Sequence, residues 1–487
     1  MKDFPHVKRG DEVSLEISGS AFEGKSVARL EGLVVFVEGA VPGDTIAARI
    51  SKVKKNLVEA RLLRLLKPSP LRREPRCFHF GTCGGCKWQH VDYGGQLQFK
   101  QQHVVDAMER IGGFSDVPIR PIIGAEEIFF YRNKMEFSFC DQEWLATPPP
   151  PPVVGQTGDI TVDHAAHGVF LGLHVPQRFD KILDLKECHL QSETSNRILG
   201  FTREWCRNRG TKVYSTEDDS GYLRFLVIRQ SRHTNEVMVN LVTRTDDPDF
   251  MREYSDALKL AIPSITTIVN TINPRKAQIA SGELERVYAG EGVIREHLGP
   301  CTFVISAGSF FQTNTAQAER LYEVVRQFGA FKKSDTVYDL YSGTGSIAIF
   351  ISQDVDRVIG VESTESALAD AERNCTTNGI TNCRFILGDL KDRLTVDNGW
   401  MQEYPVPDVI ILDPPRSGVH PKVVEKLLGI GAPKIVYVSC NPATQARDLK
   451  ALCTGYRIDQ MQPVDMFPHT YHIENVALLS RIARDNP

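Results

Sequence analysis

The chain has 487 residues, a formal net charge of −4, and 41% hydrophobic and 24% charged residues. That length asks for two or three domains, and the balance excludes a disordered, collagenous or disulfide-framed chain. No apolar run reaches the ~18 residues that span a bilayer, and the start, MKDFPHVKRGDEV, lacks the apolar stretch of a secretory signal, so a cytosolic protein without membrane contact is expected.

Residues 8 to about 66 alternate apolar and polar residues in short runs broken by Gly19, Gly24, Gly32 and GAVPGD. This predicts a small β-barrel of the oligonucleotide-binding kind. Its end overlaps a basic stretch: residues 51–76 hold nine Lys or Arg against Glu59 and Glu74. A basic stripe on an acidic protein suits a polyanion docked at one place, although solvated surface strands look the same.

The run KPSPLRREP reads as a linker. After it, CFHFGTCGGC sets Cys77, Cys83 and Cys86 close together, with glycines that let the chain wrap. Three such thiols predict one metal centre with a fourth ligand elsewhere. Zinc would take His79 or His90, and an iron-sulfur cluster would take a thiolate such as Cys188 in DLKECHL. The spacing alone leaves both open. A helix is predicted from Gln96 to Arg110, ended by Gly112 and Gly113. From about 119 to 290 the texture is α+β, interrupted near 147–167 by an insertion with five consecutive prolines, which predicts an exposed loop or hairpin extension.

From about 300 strands and helices alternate. DTVYDLYSGTGS, RVIGVEST, CRFILGD, PDVIILDPP and KIVYVSCN are five apolar strands, each ending in a turn rich in Gly, Asp, Glu or Pro. That predicts a doubly wound, Rossmann-like α/β domain with a mostly parallel sheet, whose ligands bind beyond the carboxyl ends of the strands. The expected domains are 1–66, 67–290 and 291–487, with the helix near 96–112 packed on the last.

Three strand ends form a candidate cofactor site. The DLYSGTGS turn is not GxGxxG, so a dinucleotide is not the best guest. Glu362, sixteen residues after Ser346, can accept both hydroxyls of a ribose, and Asp389 ends the next strand within reach of an adenine. This pattern suits S-adenosylmethionine. In ILDPPRSG two prolines fix the backbone beyond Asp413 where methyl transfer would occur, and Arg416 stands where amino-group methyltransferases often carry an aromatic.

Cys440 ends the fifth strand on the same rim. Most of the eleven cysteines are expected to be buried structural thiols, but this position beside a cofactor suits a nucleophile. A thiolate that adds to carbon 6 of uracil makes carbon 5 nucleophilic enough to take a methyl group. A base must then remove the carbon 5 proton, and MFPHTYHIENVALLSR offers Glu474 near His469 and His472.

Together the motifs SFFQTN, DLYSGTGS, GVE, LDPPRSG, SCNPATQARD and PHTYHIENV resemble the family of RNA uracil-5 methyltransferases that carry a TRAM domain and an iron-sulfur cluster, most closely its bacterial 23S rRNA members. The resemblance spans nearly the whole chain. It implies Cys440 as nucleophile, Glu474 as base, and Gln312, Tyr341, Ser346, Glu362, Asp389 and Asp413 at the S-adenosylmethionine site. It implies Phe310 as a wall for the flipped base and a 4Fe-4S cluster on Cys77, Cys83, Cys86 and Cys188. The implied partner is RNA, 23S rRNA before the tRNA T-loop, bound by a monomer in the cytoplasm. A non-catalytic RNA-binding protein with a vestigial methyltransferase domain is the alternative of another class. Two features depart from the family: Ser342 stands where Cys is common, and the proline-rich insertion is not expected.

Overall fold

Period-two alternation builds the first module. In the computed structural model, which describes residues 7–54, 57–146, 162–176, 178–394 and 400–483, five strands close a barrel. These are β1 (Glu12–Ser20), β2 (Ser26–Leu30), β3 (Leu33–Glu38), β4 (Thr45–Lys54) and β5 (Leu57–Lys67), in the order β1-β2-β3-β5-β4. Leu15, Ile17, Val35, Val37, Ile46, Ala48 and Ile50 fill the interior, as a two-residue repeat demands. Lys52, Lys54, Arg61, Arg64 and Lys67 stand exposed on β4 and β5. The barrel and its basic outer strands agree with the sequence reading.

The chain divides into two units. One holds residues 1–103, 136–226 and 467–471, and the other holds 104–135, 227–466 and 472–487. Helix α1 (Tyr93–Ala107) begins in the first and runs on, within the residues of the second, into a π-helical turn, Met108–Gly112, that Gly113 ends at φ 73°. The predicted helix thus exists and starts three residues earlier than Gln96. Strands β6 (Lys134–Ala146) and β7 (Val162–Val175) pair antiparallel up to Ala146 opposite Val162. The proline-rich insertion therefore joins two hairpin strands, and its residues 147–161 lie outside the described ones. Strand β8 (Arg178–Asp184) pairs with β7, and α2 (Glu193–Asn208) follows, capped by the Ser192 hydroxyl.

The second unit takes β9 (Leu223–Gln230), β10 (Val237–Thr243), α3 (Pro248–Ala261), β11 (Thr267–Ile272) and β12 (Leu284–Ala289). The hairpin β13 (Val293–Leu298) and β14 (Cys301–Ser306) leads to α4 (Thr315–Gly329). Next come β15 (Thr336–Leu340), α5 (Ser346–Ile351), β16 (Arg357–Glu362), α6 (Glu365–Thr377) and β17 (Cys383–Leu387). Short helices α7 (Leu390–Arg393) and α8 (Trp400–Glu403) precede β18 (Val409–Leu412), α9 (Pro421–Ile430), β19 (Lys434–Ser439), α10 (Pro442–Leu452), β20 (Tyr456–Val464) and β21 (Glu474–Arg481).

Strands β15 to β21 form one sheet in the order β17-β16-β15-β18-β19-β21-β20. The first five are parallel, and β21 runs antiparallel to β19 and to β20. The order reverses between β15 and β18, which is where such sheets leave a crevice for a ligand. All five predicted strands are present. Strand β20 was not foreseen: Asp459, Gln460, Gln462 and Pro463 blur its apolar pattern. Ala107 and Met108 join the core of this sheet with Leu449, Leu452 and Met461.

One buried carboxylate ties the barrel to the chain that leaves it. Asp44 is 1% exposed and accepts from the amides of Val41 (2.7 Å) and Ser69 (2.8 Å) and from Nε and Nη2 of Arg72 (2.8 and 2.6 Å). Removing one partner of a buried, fully bonded ion pair strands the other charge. Asp44→Ala should therefore lower folding stability by about 3–5 kcal/mol, read as a lower urea midpoint of the intact protein; an unchanged midpoint would contradict this role.

Candidate functional site

Strand register brings the thiol and the carboxylate together. Val438 pairs with Val476 and Ser439 with Asn475 across β19 and β21. One step further along this register, Cys440 faces Glu474. Side chains directly opposed on antiparallel strands have Cβ atoms about 5 Å apart. Glu474 is only 7% exposed, and Cys440 is half-buried.

Asp413 joins them from the next strand. Burial pushes the Cys440 thiol up to about 11, and the charges of Glu474 and Asp413 push the same way. The Glu474 carboxyl is held well above the usual carboxylate range, by burial first and by Asp413 second. Arg416 is the cation that opposes both shifts. Its carbonyl accepts from Asn441 Nδ2 and Thr444 Oγ1, both at 3.3 Å, which fastens it to the start of α10 just after Cys440. Arg416 Nη2 lies 3.4 Å from His472 Nδ1. His469, the other histidine of that motif, belongs to the first unit, where its Nδ1 lies 3.2 Å from Gln96 Nε2.

Of the predicted cofactor residues, Tyr341 and Ser346 follow β15, Glu362 ends β16, Asp389 follows β17, Asp413 follows β18 and Gln312 precedes α4. Tyr341 takes φ 67° at the turn, a left-handed conformation that costs a bulky residue energy and is held only where surroundings impose it. Gly345, at φ 72°, has no room for a side chain: a Cβ would meet the Phe385 ring at 2.8 Å and Ala371 Cβ at 2.9 Å. Glu362 Oε2 accepts from the Gly343 amide at 2.9 Å, and Oε1 from the Thr364 amide at 2.8 Å and the Ser363 hydroxyl at 3.2 Å, which fixes the carboxylate and leaves a lone pair on Oε2 for a ligand. The Gly388 amide bonds the Glu362 carbonyl at 2.8 Å and ties the third strand end to the second. Asp389 is exposed and bonded to the Lys391 side chain at 2.9 Å, which holds its carboxyl below the usual range. Ser346 Oγ lies 2.7 Å from the Tyr322 hydroxyl, which the Gln312 side chain also reaches.

Phe310 is 66% exposed, so its ring is not part of the core. Its carbonyl accepts from Thr344 Oγ1 of the glycine turn at 3.4 Å. Two groups escaped the sequence reading. Tyr322 occupies a buried helix position that looks like core. Asp339 stands inside the buried strand TVYDL, and an acid in such a strand was the signal that could have found it.

In the first unit the four cysteines form a second cluster. None is in a disulfide. Cys77, Cys83 and Cys86 each feel the charge of Cys188, and burial raises all three thiols, the last two to about 12. Gln89 donates to Cys86 Sγ at 3.1 Å and accepts from the Cys77 amide at 3.1 Å; the Gly85 amide donates to Cys83 Sγ at 3.4 Å. Asn196 clamps Cys188 through both its amide (2.8 Å) and its carbonyl (3.1 Å). Among the described residues no group of three or more His, Cys, Asp or Glu is placed to hold a metal ion. His79 Nε2 accepts from the Lys186 amide at 3.1 Å.

The shifted thiol gives a direct test. Between pH 7 and 10, alkylation of Cys440 by iodoacetamide should quicken about tenfold per pH unit, since only the thiolate reacts. Arg416→Met should slow it at every pH in that range. A rate already level by pH 8, measured by mass spectrometry of the labelled peptide, would contradict the raised thiol.

Comparison with known proteins agrees with this geometry. Residues 234–482 match the tRNA (Uracil-5-)-methyltransferase family, and residues 6–63 match the TRAM domain. An uncharacterized RNA methyltransferase of Chlorobaculum tepidum is 42% identical over 480 residues, 97% of each chain. One from Porphyromonas gingivalis is 41% identical over 96% of this chain and 99% of its own. The tRNA (uracil-54, C5)-methyltransferase of Pyrococcus abyssi, solved with S-adenosyl-L-homocysteine, is 30% identical, with TM-score 0.71 over 96% of this chain and 100% of that one. The chain therefore belongs to the S-adenosylmethionine-dependent RNA uracil-5 methyltransferase family, with a TRAM barrel at its start.

Proposed function

We propose that the protein methylates carbon 5 of a specific uridine in RNA through a covalent bond between Cys440 and the base. The observation that carries this reading is the β19–β21 register, which brings the residue after Ser439 and the residue before Asn475 together at the end of β19, one strand from Asp413. When bound, S-adenosylmethionine supplies an electrophilic methyl group. Gln312, Tyr341, Ser346, Glu362, Asp389 and Asp413 would hold it, with Glu362 taking the ribose hydroxyls. Phe310 offers the flipped base a stacking face.

The Cys440 thiolate adds to carbon 6, and the electron pair passes to carbon 5 and the adjoining carbonyl. Carbon 5 then gains the methyl group. Glu474 takes the carbon 5 proton, the ring double bond reforms, and the thiolate leaves. A carboxyl held above its usual range by burial suits the removal of a proton from carbon. The basic outer strands of the barrel supply a phosphate-binding surface.

For the RNA, 23S rRNA is the first reading, on the combination of TRAM barrel and cysteine cluster. A tRNA uridine is the second, and the likeness to the Pyrococcus abyssi enzyme favours it. Cys77, Cys83, Cys86 and Cys188 would hold a 4Fe-4S cluster: the resemblance implies it, and Cys77, Cys83 and Cys86 each feel the charge of Cys188. Its part would be to pin distant segments, since this chemistry moves no electrons to or from a metal. We assign residues 1–66, 67–290 and 291–487 to the barrel, the cluster-bearing part and the methyltransferase part of a cytoplasmic monomer.

Labelled S-adenosylmethionine offered with separate pools of unmodified 23S rRNA and tRNA tests the activity. Label should appear as 5-methyluridine in one pool, and that pool names the substrate. Cys440→Ala should abolish transfer, while Glu474→Gln should accumulate a protein–RNA species stable to denaturation. Full activity in Cys440→Ala would refute the covalent route. Protein purified without oxygen should carry about four irons per chain and lose them in Cys188→Ala; stoichiometric zinc would refute the cluster.

A further inference from the structure

Asp339 and Asp413 sit on one face of two neighbouring parallel strands. Asp339 of β15 pairs with Ile411 of β18, and Asp413 lies two residues beyond Ile411. A two-residue step keeps the same face of the sheet. The Asp413 amide also bonds the Leu340 carbonyl at 3.4 Å, so the two strand ends stay in step.

Asp339 is 1% exposed. Its Oδ2 accepts from the Ala348 amide in α5 at 3.2 Å, and its Oδ1 finds no hydrogen-bond partner among the described residues. A buried carboxylate with an unsatisfied oxygen is costly, and a nearby second carboxylate makes it costlier. The groups that face the pair bring little relief. Around Asp339 these are Asp413, Glu362 on β16, Tyr322 on α4 and Cys383 on β17. Around Asp413 they are Asp339, Tyr322, Cys440 and Glu474. None of these is a cation. Both carboxyls are pushed up to about 7, Asp339 by burial and then by Asp413, and Asp413 by burial.

We propose that the cationic cofactor ionises this carboxyl pair, so that S-adenosylmethionine binds with release of a proton and its neutral-sulfur product does not. The inference rests on the proposed cofactor site. The two ligands carry the same amino and carboxyl groups and differ by one methyl and one positive charge. A sulfonium beside the pair stabilises the ionised form, and once the methyl has gone the pair takes its proton back. The site then favours the reactant over the product by charge as well as by contact. The sign follows from linkage: the free protein binds the extra proton, so raising the pH strengthens binding of S-adenosylmethionine until the pair is ionised in the free protein.

Titration calorimetry of the intact protein, in buffers of different ionisation enthalpy, reads the proton directly. At pH 7 S-adenosylmethionine should release about 0.5 to 1 proton, and S-adenosylhomocysteine close to none. Affinity for the first should fall about tenfold from pH 7 to pH 6, with the second nearly flat. Asp339→Asn should reduce the release. Equal proton release with both ligands, or none with either, overturns the inference and leaves the proposed function standing. Failure of both ligands to bind removes the proposed function and the inference with it.

Discussion

Negative charge buried among negative charge is the constraint on which this site is built. Four protonatable groups gather along one edge of the sheet: Asp339, Asp413 and Cys440 near the carboxyl ends of β15, β18 and β19, and Glu474 at the start of the antiparallel β21; each is raised by burial or by a neighbour. In water two such charges about 4 Å apart cost about 1 kcal/mol, and near a protein surface about four times that. The protein avoids the cost by keeping its protons. The resting site therefore keeps protons that exposed carboxyls would have lost, and its reactivity depends on cations arriving or already standing beside it. Arg416 is the resident one.

The rest of the second unit serves to hold that set in register. A slip of one residue between β19 and β21 would turn Glu474 to the other face and leave Cys440 opposite an asparagine. A fully buried amide pair guards against this. Gln445 donates to the carbonyls of Tyr437 (3.0 Å) and Asn475 (3.1 Å), and Asn475 Nδ2 donates to Gln445 Oε1 at 2.7 Å. Both residues are 0% exposed. The bond network spans β19, β21 and α10 in one step, immediately behind the thiol and the carboxylate. Such a network fixes alignment more than it adds stability, because buried amides that lose one partner are penalised heavily.

The chain's own pattern revealed most of the architecture. Apolar runs ending in acidic or glycine-rich turns located all five parallel strands, and with them every strand-end residue of the candidate site. Alternation located the barrel. What stayed hidden was set by long-range pairing. Glu474 was singled out as the base from its motif, but its burial comes only from the antiparallel return of β21 beside β19. Asp339 was in plain view, yet the strand around it reads as core, and its missing partner is visible only in three dimensions. His469 and His472 are three residues apart in one motif, but the division of the chain assigns them to different units.

Charge also explains why an arginine suits the position after the two prolines. An aromatic there would stack on a base and leave the acids uncompensated. Arg416 faces a thiol and a carboxyl that must both lose protons in one turnover, and a permanent guanidinium favours each loss without giving up a proton itself.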